Sequence, residues 1–326
     1  MKLKLWGTRG SLPRTLNNQI FSELLIELSH NAEAKGINTL AEFRKAITSG
    51  KLGVPLTFGG NTTCTEIIHK KTRCFVDMGS GFLEAGEEAL KDDIHEFNVF
   101  MTHLHSDHLL GFPYFVPIHI PGNKFTIHHV HPLAPKYIME MFNGVYFPVK
   151  WNELQADIEF KQLKIYEPTQ LSDLKVTPFC LDHPGGSFGY HFESEGKKAC
   201  VGVDGEYKRL TPKELGKDLI YYQNLDILIF DAQYELNELA SRSDWGHCSP
   251  NIGVDLALRE GIRNIYLTHH DPKSAEAKGF RMLEAARKHK KLQLPAHADL
   301  WDKLNQPDGP NINMAWDGLE IDVDKL

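Results

Sequence analysis

The stretch Asn98-Val99-Phe100-Met101-Thr102-His103-Leu104-His105-Ser106-Asp107-His108 runs from a short apolar segment into six residues that hold three histidines and one aspartate. Residues 98–102 read as a buried strand ending at His103, which puts the cluster on a loop at a strand end. Side chains at i and i+2 of an extended segment project to the same side, so His103 and His105 can share one ion. Asp107 and His108 fall on the turn that follows and are aimed a few ångströms away, which suits a pair of metals about 3.5–4 Å apart. With 17 histidines in 326 residues, chance produces this pattern about 0.003 times in such a chain. A solvated, His-rich loop is the plain alternative, and it would prevail if the cluster stood alone.

It does not stand alone. Residues 176–183, 199–204, 227–231 and 265–269 repeat the step from apolar strand to polar loop, and they end on His183, Asp204, Asp231 and His269. Helical patterns at 251–260 and 275–288 follow the later strands, so the chain alternates α and β. At the start, residues 1–6 read as a strand that stops at Gly7-Thr8-Arg9-Gly10, and 65–69 with 73–77 read as a strand pair. Between them Ile20, Phe21, Leu24, Leu25 and Leu28 recur at helical spacing, and Asn38-Thr39 caps a second helix carrying Leu40, Phe43 and Ile47.

Composition narrows the function classes. With 41% hydrophobic and 24% charged residues, the chain can bury a core without staples. Its net charge of -7 provides no global field for nucleic acid, so any phosphate binding must be local. The five cysteines, Cys64, Cys74, Cys180, Cys200 and Cys248, are odd in number and never form a Cys-x-x-Cys pair, which reads as reduced thiols in a cytoplasm. No stretch approaches the ~18 apolar residues of a membrane span.

The cluster matches in full the His-x-His-x-Asp-His signature of the metallo-β-lactamase superfamily, and the chain resembles that family along nearly its whole length. The supporting motifs are Trp6-Gly7-Thr8-Arg9-Gly10-Ser11, Gly59-Gly60-Asn61-Thr62-Thr63-Cys64, His183-Pro184-Gly185-Gly186 and Leu267-Thr268-His269-His270-Asp271-Pro272. Within the superfamily the chain looks closest to the phosphodiesterase branch, which includes ribonuclease Z and small cyclic-phosphate phosphodiesterases. The resemblance implies a four-layer αβ/βα sandwich formed by one catalytic domain over 1–326. A helical insertion at about 16–56 departs from the compact family pattern. The insertion is expected to be a lid or a homodimer contact, because amphipathic helices need an apolar surface to cover.

Carried over by position, the resemblance implies that His103, His105 and His183 hold one divalent metal ion and that Asp107, His108 and His269 hold another, with Asp204 bridging. Zinc is the first expectation for both ions, and manganese or iron suit the same ligands. Such a centre leaves room for a water of lowered pKa as nucleophile, which the free oxygen of Asp107 could orient. Phe230-Asp231-Ala232-Gln233 and Gly246-His247-Cys248-Ser249 resemble the Glu-Ala-Thr and Gly-His-Ser-Thr elements of ribonuclease Z. The resemblance implies that His247 touches the scissile phosphate and protonates the leaving oxygen, while Asp231 orients its ring. Asp stands here for the usual Glu, and Cys-Ser for the usual Ser-Thr.

Other residues are read as structural. Asp182 is an exposed flank, and His270 and Asp271 make loop contacts. His119, His128, His129 and His131 pack in or beside a strand at 125–130, His297 sits in a late strand, and Cys248 is a buried thiol. Gly185 and Gly186 form a turn that could equally approach a phosphate. The aromatic stretch 114–148 lies on the metal-loop side and could stack a ring, although packing accounts for most of it.

The reading is a dinuclear phosphodiesterase acting on a cyclic nucleotide or other small phosphodiester, with RNA as second choice and no membrane partner. The alternatives are an ester, lactone or thioester hydrolase on the same core, and a metal-binding sensor or interaction module without catalysis.

Overall fold

The computed structural model describes residues 1–48 and 57–326; positions 49–56, the end of the expected insertion, lie outside the described residues. The first six strands are β1 (Lys2–Gly7), β2 (Cys64–His69), β3 (Thr72–Val76), β4 (Glu96–Met101), β5 (Lys124–His129) and β6 (Asp157–Gln162). They are followed by β7 (Thr169–Leu171), β8 (Leu174–Leu181), β9 (Ser187–Ser194) and β10 (Lys197–Gly202), then β11 (Ile227–Asp231), β12 (Asn264–Thr268), β13 (Asn311–Met314) and β14 (Leu319–Asp322). Two mixed sheets result, ordered β14-β1-β2-β3-β4-β5-β6 and β13-β12-β11-β10-β9-β8-β7.

Strand alternation sorts the side chains into layers. In β4, Phe97, Val99 and Met101 face outward while Phe100 faces the opposite sheet, and in β11 Ile227 and Ile229 face inward while Leu228 and Phe230 face outward. Leu3, Leu5, Ile67, Val76 and Phe100 therefore meet Val176, Phe192, Val201, Ile227 and Ile229 between the sheets.

Helices cover both outer faces. Helices α1 (Asn18–Ala34) and α2 (Leu40–Thr48) precede β2; α3 (Phe82–Lys91) and α4 (Ala134–Glu140) flank the first sheet; α5 (Pro212–Leu215) leads into a turn before β11. Helices α6 (Pro250–Glu260), α7 (Glu276–Gln293) and α8 (Ala298–Lys303) follow β11 and β12. Phe82 of α3 stacks on Phe115, with ring centroids 3.8 Å apart, over the Phe75 and Phe97 layer. On the other side Val254, Leu258, Ala286 and Trp301 close over Leu228, Phe230, Ile265 and Leu267. Helix, sheet, sheet and helix make the four-layer αβ/βα sandwich. Each of the buried Val, Leu, Ile and Phe side chains contributes about 1.5–3 kcal/mol relative to exposure.

Helix ends carry the expected chemistry. The Asn17 side chain accepts from the Ile20 amide, and Thr39 exchanges hydrogen bonds with Glu42 ahead of α2. One local expectation fails: His297 ends the 3-10 turn Leu294–His297 and is not in a strand. Pro295, with its fixed φ and no N–H, starts a helical turn there instead of a ladder.

Strand direction gathers the functional loops. Strands β3 and β4 run parallel, as do β10, β11 and β12, and two antiparallel steps bring β1 into line with β3 and β8 into line with β10. Seven strands thus deliver their following residues to one edge of the sandwich, where open α/β sheets bind ligands.

Candidate metal centre

His103 follows β4, His183 follows β8, Asp204 follows β10 and His269 follows β12. His105 reaches His183, with His105 Nδ1 3.1 Å from His183 Nε2. Asp107 and His108 lie on the 3-10 turn Ser106–His108. The donor atoms of His103, His105, His183 and Asp204 lie within 4.8 Å of one another, and so do those of Asp107, His108, Asp204 and His269. Asp204 belongs to both groups. Its Oδ2 is 3.4 Å from His103 Nε2, 3.3 Å from His108 Nε2 and 3.6 Å from His183 Nε2, while its Oδ1 is 2.7 Å from His269 Nε2. The seven residues expected to ligate metal are brought together without exception.

Several of these converging atoms are left unsatisfied. The buried Nε2 atoms of His103, His108 and His269 and Oδ1 of Asp204 have no hydrogen-bond partner. Each such orphan costs about 1–3 kcal/mol, and a divalent cation at the two foci accounts for all of them. Electrostatics agrees. Burial pushes the His269 imidazole down, but Asp204 and Asp107 outweigh it and raise it to about 10. His108 is likewise held well up by Asp204, Asp77 and Asp107 against its burial, whereas burial and His108 push His103 down. The carboxylates demand positive charge, and imidazole with carboxylate is the donor set of a borderline divalent metal.

An outer ring of contacts aims the cluster. His108 Nδ1–H donates to Asp77 Oδ2 at 2.7 Å, and Asp77 also accepts from the amide and hydroxyl of Thr102. His183 Nδ1–H donates to the Gly246 carbonyl at 3.0 Å, and the Ser11 amide donates to Asp107 Oδ2 at 2.8 Å. Such partners set tautomer and ring orientation. Close approach explains two glycines: a Cβ at Gly10 would stand 2.4 Å from His269 Nδ1, and one at Gly246 would stand 2.0 Å from His183 Nδ1. Asp77, Asp204 and His269 adopt φ of 64°, 58° and 61°. Left-handed backbone at such residues costs about 1–3 kcal/mol each and clusters at functional sites.

Beside the centre, His247 Nδ1–H donates to Asp231 Oδ2 at 2.9 Å, and Asp231 Oδ1 accepts from the Cys248 amide. The His247 ring lies 4.9 Å from that of His269 and 5.7 Å from that of His183.

Residues read as structural mostly remain so. Asp182 binds Arg209, His270 Nε2–H donates to the Ala315 carbonyl, His119 contacts the Pro113 carbonyl, and Cys248 is buried. Gly185 and Gly186 form a turn at φ of 82° and 86°. His131 differs, because it lines a cavity next to His103 and His105. Asp77, in contact with His108, is the member of this arrangement that motif reading passes over. Its signal is present, since it ends a strand as the other carriers do.

Residues 72–270 match the family model described as a Beta-lactamase superfamily domain. Ribonuclease Z of Archaeoglobus fulgidus is 24% identical over 217 residues, which is 53% of this chain and 69% of that protein. The metallo-beta-lactamase fold protein YhfI from Bacillus subtilis superposes with a TM-score of 0.63 at 13% identity, covering 98% of both chains. The short form of human tRNase Z superposes with a TM-score of 0.59 at 14% identity, covering 99% of each.

Proposed function

Because the chain belongs to the metallo-β-lactamase superfamily, in its phosphodiesterase branch, we propose that this metal-dependent hydrolase is a dinuclear phosphodiesterase acting on a small phosphodiester such as a cyclic nucleotide. The observation that carries the reaction class is the Asp231–His247 pair beside the metal centre. An ester or thioester hydrolase on the same core would need an oxyanion donor but no histidine in contact with a phosphate.

His103, His105 and His183 would hold one ion and Asp107, His108 and His269 the other, with Asp204 shared between them. Zinc is the metal we favour, given four imidazole and carboxylate donors in each group. Bound there, divalent ions supply Lewis acidity toward phosphoryl oxygens and a water nucleophile that ionises near neutral pH. The chain's own residues do the rest. Asp107, with Oδ2 fixed by the Ser11 amide, has a second oxygen available to orient water. His247, with Nδ1 tied to Asp231, presents Nε2 to the leaving oxygen and gives it a proton.

Charge supports a small substrate over a polynucleotide. Most cations around the site are paired: Lys208 with Glu206 and Asp244, Lys278 with Glu238 and Asp271, Arg9 and Arg14 with Glu276. Five unbridged cysteines support a reducing cytoplasm, and no helix among the described residues is long and apolar enough to cross a membrane. The exposed Phe21, Leu25 and Ile26 of α1 support a lid or homodimer role for the helical pair within a single catalytic domain. Turnover of cyclic nucleotides, other small diesters and a pre-tRNA by one metal-assayed sample tests the proposal. Faster cleavage of the pre-tRNA would reverse the substrate assignment.

A further inference from the structure

A cavity of about 540 Å³ opens against His103 and His105 and is walled by Leu104, Leu109, Leu133, Tyr137 and Met141. Helix α4 and the residues around it supply one wall and the metal loop supplies the other. Lys, Arg, Asp and Glu are absent from its described lining. Leu133 and Tyr137 leave 45% and 43% of their surface open to it and to solvent, an exposure that a ligand would cover.

His131 gives the wall a directed donor. The Leu133 amide donates to His131 Nδ1 at 3.2 Å, so the neutral His131 ring carries its proton on Nε2. That N–H can serve an in-plane acceptor on a ring lying among the leucines. His247 and His269 are not in this wall, so the cavity lies on the His105 side of the centre, away from the group that faces the leaving oxygen.

We propose that this cavity takes the retained arm of the phosphodiester, and that the arm it fits is an uncharged planar ring with an in-plane hydrogen-bond acceptor, as a nucleobase has. The inference rests on the phosphodiesterase reading. In the reaction the oxygen of water joins phosphorus, the bond to the other ester oxygen breaks, and that oxygen takes a proton. The ring-bearing arm leaves as a phosphomonoester. The lining itself offers no cation to the further phosphates of a longer nucleic-acid chain, Lys136 standing over the Tyr137 ring and facing Glu140, so the substrate class is a single nucleotide ester.

Three esters with one leaving group test this on the metal-loaded full chain: p-nitrophenyl phosphate carrying thymidine (through its 5′ oxygen), phenyl or methyl as the retained arm. Burial of a ring predicts a kcat/KM for the thymidine ester about 10–100-fold above that of the methyl ester. Leu133→Glu should bring that ratio to within about 3-fold, Leu133→Met should keep it, and His131→Phe should lower the thymidine-to-phenyl ratio by about 10-fold. Leu133 is exposed, so these substitutions do not threaten folding. Equal rates on thymidine and methyl esters, or a preference that survives Leu133→Glu, overturn the cavity assignment and leave the phosphodiesterase reading standing. An oligoribonucleotide cleaved as fast as the thymidine ester overturns the single-nucleotide limit. Should no phosphodiester turn over, that reading fails, and calorimetric binding of phenylphosphonate against methylphosphonate decides the cavity. A phenyl preference abolished by Leu133→Glu upholds it, and no preference overturns it.

Discussion

Asp231 Oδ2 lies 2.9 Å from His247 Nδ1 and 3.4 Å from His269 Nδ1, so a single buried carboxylate faces both the proposed proton donor and a member of the metal cluster. Its other oxygen is held by the amides of Cys248 and Gln233. A carboxylate fixed at both oxygens is a rigid reference for two imidazoles, and the positions of His247 and His269 are therefore linked.

If His247 protonates the leaving oxygen, its removal should hurt most where the leaving group is most basic. For His247→Ala we expect a fall in kcat of about 10²–10⁴ on alkyl diesters and a much smaller fall on p-nitrophenyl diesters, with metal content unchanged. Asp231→Asn should give a weaker version of the same pattern. Rates measured across a series of leaving groups check this, and an equal loss throughout would contradict the acid role.

Asp77 touches no proposed substrate position and acts through His108. Asp77→Asn should lower metal affinity about 10–100-fold while leaving the fold in place. Competition with a chelating dye, alongside circular dichroism, reads both quantities. Unaltered affinity would mean that the 2.7 Å contact with His108 is only structural.

Much of this arrangement is legible in the sequence, and the exceptions share a cause. His103, His183, Asp204, Asp231 and His269 announce themselves because an apolar strand stopping at His or Asp is a local signal. Asp77 obeys the same rule, yet its partner is 31 residues away and no spacing encodes that pairing. The Ser11 amide and the Gly246 carbonyl act through backbone atoms, which leave no trace in residue type. The left-handed conformations of Asp77, Asp204 and His269 are imposed by the assembled edge. His131 looks like one more histidine beside an alternating strand, and only the packing of β5 against β4 brings the loop after it to His103.

Glu276 pairs with Arg9 at 2.6 Å and with Arg14 at 2.7 Å, and both Arg9 and Glu276 are buried. Burial pushes the Arg9 guanidinium down and Glu276 opposes it. Removing the carboxylate strands that charge, so Glu276→Ala should cost about 3–5 kcal/mol of unfolding free energy. Urea denaturation measures it. A loss under about 1 kcal/mol would show that Arg9 finds another partner.

His128 stacks on Phe100, with centroids 4.4 Å apart, and burial pushes its imidazole down to about 3. The unfolded ring takes a proton near 6.5, so between these values the unfolded state binds more protons and stability falls as pH drops. His191, pushed down to about 4 by burial, adds to the trend. His128→Phe keeps the stack and removes one titration, and should make the loss shallower by about 1.4 kcal/mol per pH unit below pH ~6. Urea midpoints of both proteins from pH 7 to 4 check this, and parallel curves would refute it.

The central claim is metal-dependent phosphodiester hydrolysis, and the most direct test is turnover of bis(p-nitrophenyl) phosphate by a sample whose metal content is measured in parallel. The account predicts hydrolysis by protein carrying about two ions per chain, its loss on chelation and its return with added zinc or manganese. A sample fully loaded with metal that ignores this and other phosphodiesters but opens a thioester or lactone would contradict it.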